Sequence, residues 1–160
     1  MTQQSILEER DLNLQLRRCV ELYSSGIFQG ASIFTQSAFI EILIRLNDLL
    51  QFFKGKGQRI DFTDDVKKAE EITDITDLVN KLRNAACHDR TSGESGVDSN
   101  RFVFNRIVGK VPKAIEIGNL VIGSEYDDDI AYFYGDKLIY LHRHIGRLLN
   151  EINAKLVLLQ

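Results

Sequence analysis

Apolar residues return every three or four positions from Leu12 through Leu16 and Cys19 to Tyr23, with Val20 beside them, and this spacing predicts a helix with one core face. Its start falls at Ser5-Ile6-Leu7-Glu8, a capping-box pattern in which the serine oxygen and the glutamate carboxylate each accept a backbone N–H of the first turn. Ser24-Ser25-Gly26 ends it. A richer stripe follows over Ala31 to Phe53, with Phe34, Ala38, Ile42, Leu46, Leu49 and Phe53 on one face and Phe39, Leu43 and Leu50 widening it. The pattern predicts a central second helix, interrupted by the polar Asn47-Asp48 pair and closed by Gly55-Lys56-Gly57. Residues 58–71 are charged and weakly periodic, which predicts a loop with about two turns of helix after Thr63. Thr73 or Asp74 then caps a third helix whose buried face is Ile75, Leu78, Val79, Leu82 and Ala86, and which frays after Asp89 into a polar, turn-rich run.

From Arg101 the period changes from helical to alternating. Phe102, Phe104 and Val108 share one face, Ile115 and Ile117 lead into a Gly118-Asn119 hairpin signal, Leu120-Val121-Ile122 continues, and Ile130, Tyr132 and Tyr134 alternate again. These predict three or four short antiparallel strands. Gly135-Asp136 is read as the cap of a final helix, with Leu138, Leu141, Ile145, Leu148, Leu149, Ile152, Leu156 and Leu159 as its stripe. The expected fold is mainly α: one domain over residues 1–160, four to five helices, and a small antiparallel β insert at 101–134 before the last helix.

Composition agrees with a single core-forming domain, since 160 residues at 44 % apolar and 27 % charged can bury a core of ordinary size. No apolar run approaches the ~18–20 residues needed to span a bilayer, and Met1-Thr2-Gln3-Gln4-Ser5 has none of the marks of a secretory signal, so a cytoplasmic location is expected. Cys19 and Cys87 are then reduced thiols, and neither has Cys or His neighbours at metal-ligand spacing. A net charge of −3 argues against a broad electrostatic footprint on nucleic acid but not against a local one. Arginines gather at Arg83, Arg90, Arg101, Arg106, Arg143 and Arg147, while acids gather at Asp61 to Glu71 and at Asp127 to Asp129.

One stretch carries the parts of phosphodiester chemistry: Arg83-Asn84-Ala85-Ala86-Cys87-His88. A histidine titrating near neutrality can take a proton from a ribose 2′-OH or give one to the departing 5′ oxygen, and an arginine can hold the charge that develops on phosphorus. Asn84 would position the phosphate or the histidine. Five residues at about 100° each put Arg83 and His88 roughly 140° apart around an ideal helix and about 7.5 Å apart along it. They do not share a face, so either the helix distorts near Cys87 or two chains complete the site together. Competing readings stand beside this one: Arg83 as an ion-pair partner of Asp89 or Glu94, and His88 as a cap on the last carbonyls of the helix. Arg90, Arg143, Arg147 and His144 are candidate phosphate contacts, His142 is a candidate core histidine, and Asn47 and Asp48 are candidates to orient His88. The Asp127-Asp128-Asp129 run is read as water-facing rather than as a cation site.

The motif resembles that of the HEPN superfamily, small helical bundles whose ribonuclease members carry an arginine, a polar residue after it and a histidine four to six positions later. The resemblance covers the motif and the helical layout around it, not the insert at 101–134. It implies a HEPN-like helical bundle and a metal-independent endoribonuclease of a bacterial toxin or antiphage defence system, working without a cofactor. The products would be 2′,3′-cyclic phosphate and 5′-hydroxyl ends. It also implies a homodimer, RNA such as tRNA as substrate, and a cognate antitoxin or defence partner. The alternative from another class is a noncatalytic helical adaptor for a protein or nucleotide, with the last helix as its interface.

Overall fold

A computed structural model describes residues 3–87, 96–97, 100–101 and 104–158. The chain forms two compact units, one of residues 1–60 with 146–160 and one of residues 61–145.

The first unit is helical. Its helices are α1 (Gln3–Ser24), α2 (Thr35–Gly55) and, after the third helix of the chain, α4 (Arg147–Val157), and α1 packs on both α2 and α4. The helical periodicity survives here: Leu12, Leu16 and Cys19 of α1, Phe39, Ile42, Leu43, Leu46, Leu49, Leu50 and Phe53 of α2, and Leu148, Ile152 and Leu156 of α4 are all buried. Burial pushes the Cys19 thiol up to about 12, which leaves it protonated and unreactive at neutral pH. Two boundaries differ from the expectation. Ser5 lies inside α1 rather than at its start, because the helix already runs from Gln3. α2 starts at Thr35 rather than Ala31, and Phe34 is 63 % exposed, because Ser32 Oγ accepts the Phe34 N–H at 3.1 Å and ties the preceding residues into a turn.

The second unit is α3 (Ile75–Cys87) laid against a three-stranded antiparallel sheet in the order β3-β6-β7, where β3 is Asn105–Val108, β6 Ile130–Tyr134 and β7 Lys137–Tyr140. Between β3 and β6 runs a separate hairpin of β4 (Val111–Ile117) and β5 (Leu120–Ser124), and before them a short pair, β1 (Gly96–Val97) with β2 (Asn100–Arg101). The hairpin turns at Gly118-Asn119 with Gly118 at φ 56°, the turn its sequence predicts. Gly123 is required at its place: a Cβ there would stand 2.0 Å from the Pro112 carbonyl oxygen, where the register shifts between Val111 and Ile115. Ile107, Leu120, Ile122, Ala131, Phe133 and Tyr140 form one apolar cluster, so the hairpin and the sheet share a core.

These strands overturn the mainly helical expectation. Among the described residues the chain is mixed α/β, with four α-helices and seven strands, and it is not a HEPN-like helical bundle with a minor insert. The largest error is at Gly135-Asp136. These residues cap no helix; they are the two-residue turn between β6 and β7, with Gly135 at φ 60° and Tyr134 paired to Lys137 across it. Leu138 is therefore on a strand. A π-helical turn, Leu141–Gly146, follows before α4 begins. Leu138, Leu141 and Ile145 fit an i, i+3, i+7 helical stripe by accident of a strand running straight into a π turn.

The loop after α2 also differs, with no helix after Thr63 but an antiparallel bridge between Ala69 and Ile72. Among the described residues no helix is long and apolar enough to cross a membrane.

Candidate functional site

α3 is fixed at its start by its own side chains. Asp74 Oδ1 accepts the Asp77 N–H at 3.0 Å, which makes Asp74 rather than Thr73 the N-cap, and Asp77 Oδ2 accepts the Thr73 hydroxyl at 2.6 Å. Ile75, Leu78, Val79, Leu82 and Ala85 are buried, with Ala85 in the place expected for Ala86. Anchoring that stripe fixes the neighbouring polar one, Asn80, Arg83, Asn84 and Cys87, at spacings of three and four residues.

Along this stripe the side chains form a relay. Asn84 Nδ2 donates to Asn80 Oδ1 at 3.4 Å, and Arg83 Nη1 donates to Asn84 Oδ1 at 3.1 Å. Arg83 is half-buried, its Nε is buried with no hydrogen-bond partner, and among the described residues no carboxylate pairs with its guanidinium. Arg83 thus holds a planar cation, oriented by a neutral amide and with its Nε–H unsatisfied, a geometry that suits a phosphate. The sequence signals Asn80 only through its place four residues before Asn84 on a polar stripe. Cys87 is exposed at the end of the same stripe.

His88 and Arg90 lie outside the described residues. The other candidates of the second unit, His144 and Arg143, are held by partners of their own. His144 is fully buried: the Tyr140 backbone N–H donates to Nδ1 at 3.0 Å, which puts the ring proton on Nε2, 3.0 Å from the Asp64 carbonyl oxygen. With both ring nitrogens bonded to backbone and Phe62 and Tyr140 beside it, His144 cannot meet a phosphate. It takes the core role expected of His142, which is only partly buried, because the π turn shifts which residues face inward.

Arg143 is likewise committed. Its Nη1 pairs with Asp128 at 2.9 Å and Asp129 at 3.2 Å, and its guanidinium lies 3.6 Å from the Tyr126 ring centroid. The hydrogen bond with Asp128 raises the Arg143 pKa and holds the Asp128 carboxyl below its usual range. Asp129, far from facing water, is 2 % exposed, and its carboxylate accepts the backbone N–H groups of Ile130 at 2.7 Å, His142 at 2.8 Å and Arg143 at 3.0 Å. It ties the start of β6 to the π turn. Asp129, with Asp128 beside it on Arg143, is a structural fastener, a role no local pattern signals, while Asp127 is exposed as expected.

The remaining candidates belong to the helical unit. Arg147 pairs with Glu151 at 2.7 Å on the exposed side of α4. Asn47 is buried and accepts from Gln51 Nε2 at 3.5 Å, while Asp48 is exposed.

No protein-family model matches the chain, nor does any curated protein or solved structure.

Proposed function

We propose that this chain is a metal-independent endoribonuclease whose reaction centre is Arg83, Asn84 and His88. The observation that carries the reading is the state of Arg83, a half-buried guanidinium oriented by Asn84 and unpaired with any carboxylate among the described residues, five positions before the histidine. His88 takes the proton of the ribose 2′-OH as that oxygen attacks phosphorus, and the P–O5′ bond breaks to leave a 2′,3′-cyclic phosphate. Arg83 holds the nonbridging oxygens as their charge grows, and Asn84 holds Arg83. The departing 5′ oxygen needs a proton from a second acid, which His88 of a second copy would supply in a homodimer. The support is local to the motif and owes nothing to a bundle fold. A toxin or antiphage setting, a structured RNA such as tRNA as substrate and a cognate antitoxin belong to the same proposal through the motif's likeness to HEPN ribonucleases.

The test is cleavage of total RNA in EDTA by the wild type and by His88→Ala, with the termini analysed. Cyclic phosphate and 5′-hydroxyl ends from the wild type alone are expected; intact RNA with well-folded wild type would sink the proposal. A second reading, a noncatalytic adaptor, draws on Val157 and Leu158, which are 59 % and 84 % exposed at the end of α4. It expects partner binding that His88→Ala leaves unchanged and Leu158→Glu abolishes.

A further inference from the structure

A cleft of about 220 Å³ opens within the second unit, lined by the 67–72 segment, by Leu78 and Lys81 of α3, and by the β6–β7 turn with the start of β7. Its apolar lining is Ala69, Ile72, Leu78 and Leu138, of which Ile72 and Leu78 are buried. Its charged lining is Lys67, Lys68, Lys81 and Lys137 against Glu70, Glu71 and Asp136. Lys81 and Arg83 are about 200° apart around α3, so this is not the site described above.

Two of the lysines are unusually enclosed, with side chains only 18 % exposed at Lys81 and 16 % at Lys137. Burying an ammonium is unfavourable unless a counter-charge stands beside it. Lys137 has Asp136 at 3.2 Å, and Lys81 has Glu71 in a close ion pair. Glu71 itself is 72 % exposed, on the turn bridged by Ala69 and Ile72, and its carboxyl is held below the usual range first by its hydrogen bond from Lys81 and further by the nearby charge of Lys137. An exposed carboxylate thus stands on the enclosed Lys81 ammonium, within the electrostatic reach of Lys137, beside an apolar cleft that both lysines line. Lys67 and Lys68 form no ion pair among the described residues.

We infer that the cleft is a binding site for a small phosphomonoester, whose phosphate displaces Glu71 from Lys81 and pairs with Lys81 and Lys137, and whose apolar body rests on Ile72, Leu78 and Leu138. Charge selects this class. With Glu71 swung out, the lining keeps four ammonium groups against the carboxylates of Glu70 and Asp136. The excess of two positive charges matches the dianion that a phosphomonoester becomes above its second pKa of about 6.

Phenyl phosphate is the probe, with phenol as the uncharged control, titrated calorimetrically into the full chain at pH 7.5. Wild type should bind phenyl phosphate and not phenol. Glu71→Gln, which weakens the internal competitor without emptying the cleft, should bind about fivefold more tightly, the worth of one partly exposed ion pair. Lys137→Met, which keeps the apolar stem, should lose at least tenfold. Equal binding of phenol, or no gain in affinity from Glu71→Gln, would overturn the inference. The Glu71→Gln comparison decides even where Lys137→Met fails to fold. Neither readout depends on RNA cleavage.

Discussion

Replacing Arg83 by methionine separates a reactive arginine from a structural one, because the two roles load its guanidinium differently. Among the described residues Arg83 makes one hydrogen bond, Nη1 to Asn84 Oδ1 at 3.1 Å, and bears one loss, a buried Nε–H with no acceptor. A hydrogen bond from a charged donor is worth about 1.5–3 kcal/mol net, and a buried donor left unmade costs about 1–3 kcal/mol. The terms offset, and methionine keeps an unbranched apolar stem of similar length. Arg83→Met should therefore unfold within about 1 kcal/mol of wild type in urea followed by circular dichroism, a melting shift of no more than ~2–4 °C for a chain of this size. Loss of a charge-stabilising donor in a cleavage transition state should slow single-turnover RNA cleavage in EDTA by about 10²–10³-fold. Arg83→Lys, which keeps the charge but not the planar fork, should fall between. A variant destabilised by more than about 2 kcal/mol with cleavage intact would show that Arg83 is a packing residue and would refute the reasoning.

Two further outcomes follow from the second unit. Asp129→Ala strands three backbone N–H groups and half of the Arg143 ion pairing, and should cost about 3–5 kcal/mol in denaturant unfolding, with Asp129→Asn recovering part through its amide oxygen; a change under about 1 kcal/mol would deny the fastening role. Glu71 and Asp128 are held below the usual carboxylate range by hydrogen bonds from Lys81 and Arg143, so their stabilisation is present above the unfolded carboxylate values and is lost as pH falls through the lowered folded ones. The double variant Glu71→Gln, Asp128→Asn should accordingly show a flatter fall of melting temperature below about pH 4 than wild type, and an unchanged slope would count against these pairs.

What was legible in the sequence were features fixed by nearest neighbours. The stripes of α1, α2 and α3 are helical because each repeats its apolar residues at helical spacing, and the Gly118-Asn119 turn is where a hairpin of that composition must turn. At Leu138 two local signals conflict: the Gly135-Asp136 turn marks a hairpin, which pairs Phe133 with Leu138, while the accidental spacing of Leu138, Leu141 and Ile145 marks a helix. Other features were set by contacts distant in sequence, and nothing local says that Asp129 will bind the backbone of residues thirteen and fourteen positions on. The lysine cleft was illegible for the same reason, being assembled from three segments that only the fold brings together. Arg83 and Asn84 were legible as a motif, while the unsatisfied Nε depends on packing.

Arg143 gives the clearest measure of what the Arg83 environment means. Both arginines lie in the same compact unit. Arg143 is saturated, with two carboxylates on one nitrogen and an aromatic face beneath its guanidinium, and this is how an arginine is held when its task is to join a strand to a turn. Arg83 is oriented by an asparagine, which fixes the direction of the guanidinium without neutralising it. A chain that needed Arg83 only for stability would gain more from a carboxylate at position 84, since hydrogen bonds between charged partners are the stronger ones. Asn84→Asp supplies that carboxylate, and it separates the two roles: a structural Arg83 gains stability and loses nothing, whereas a phosphate-binding Arg83 gains stability and loses cleavage.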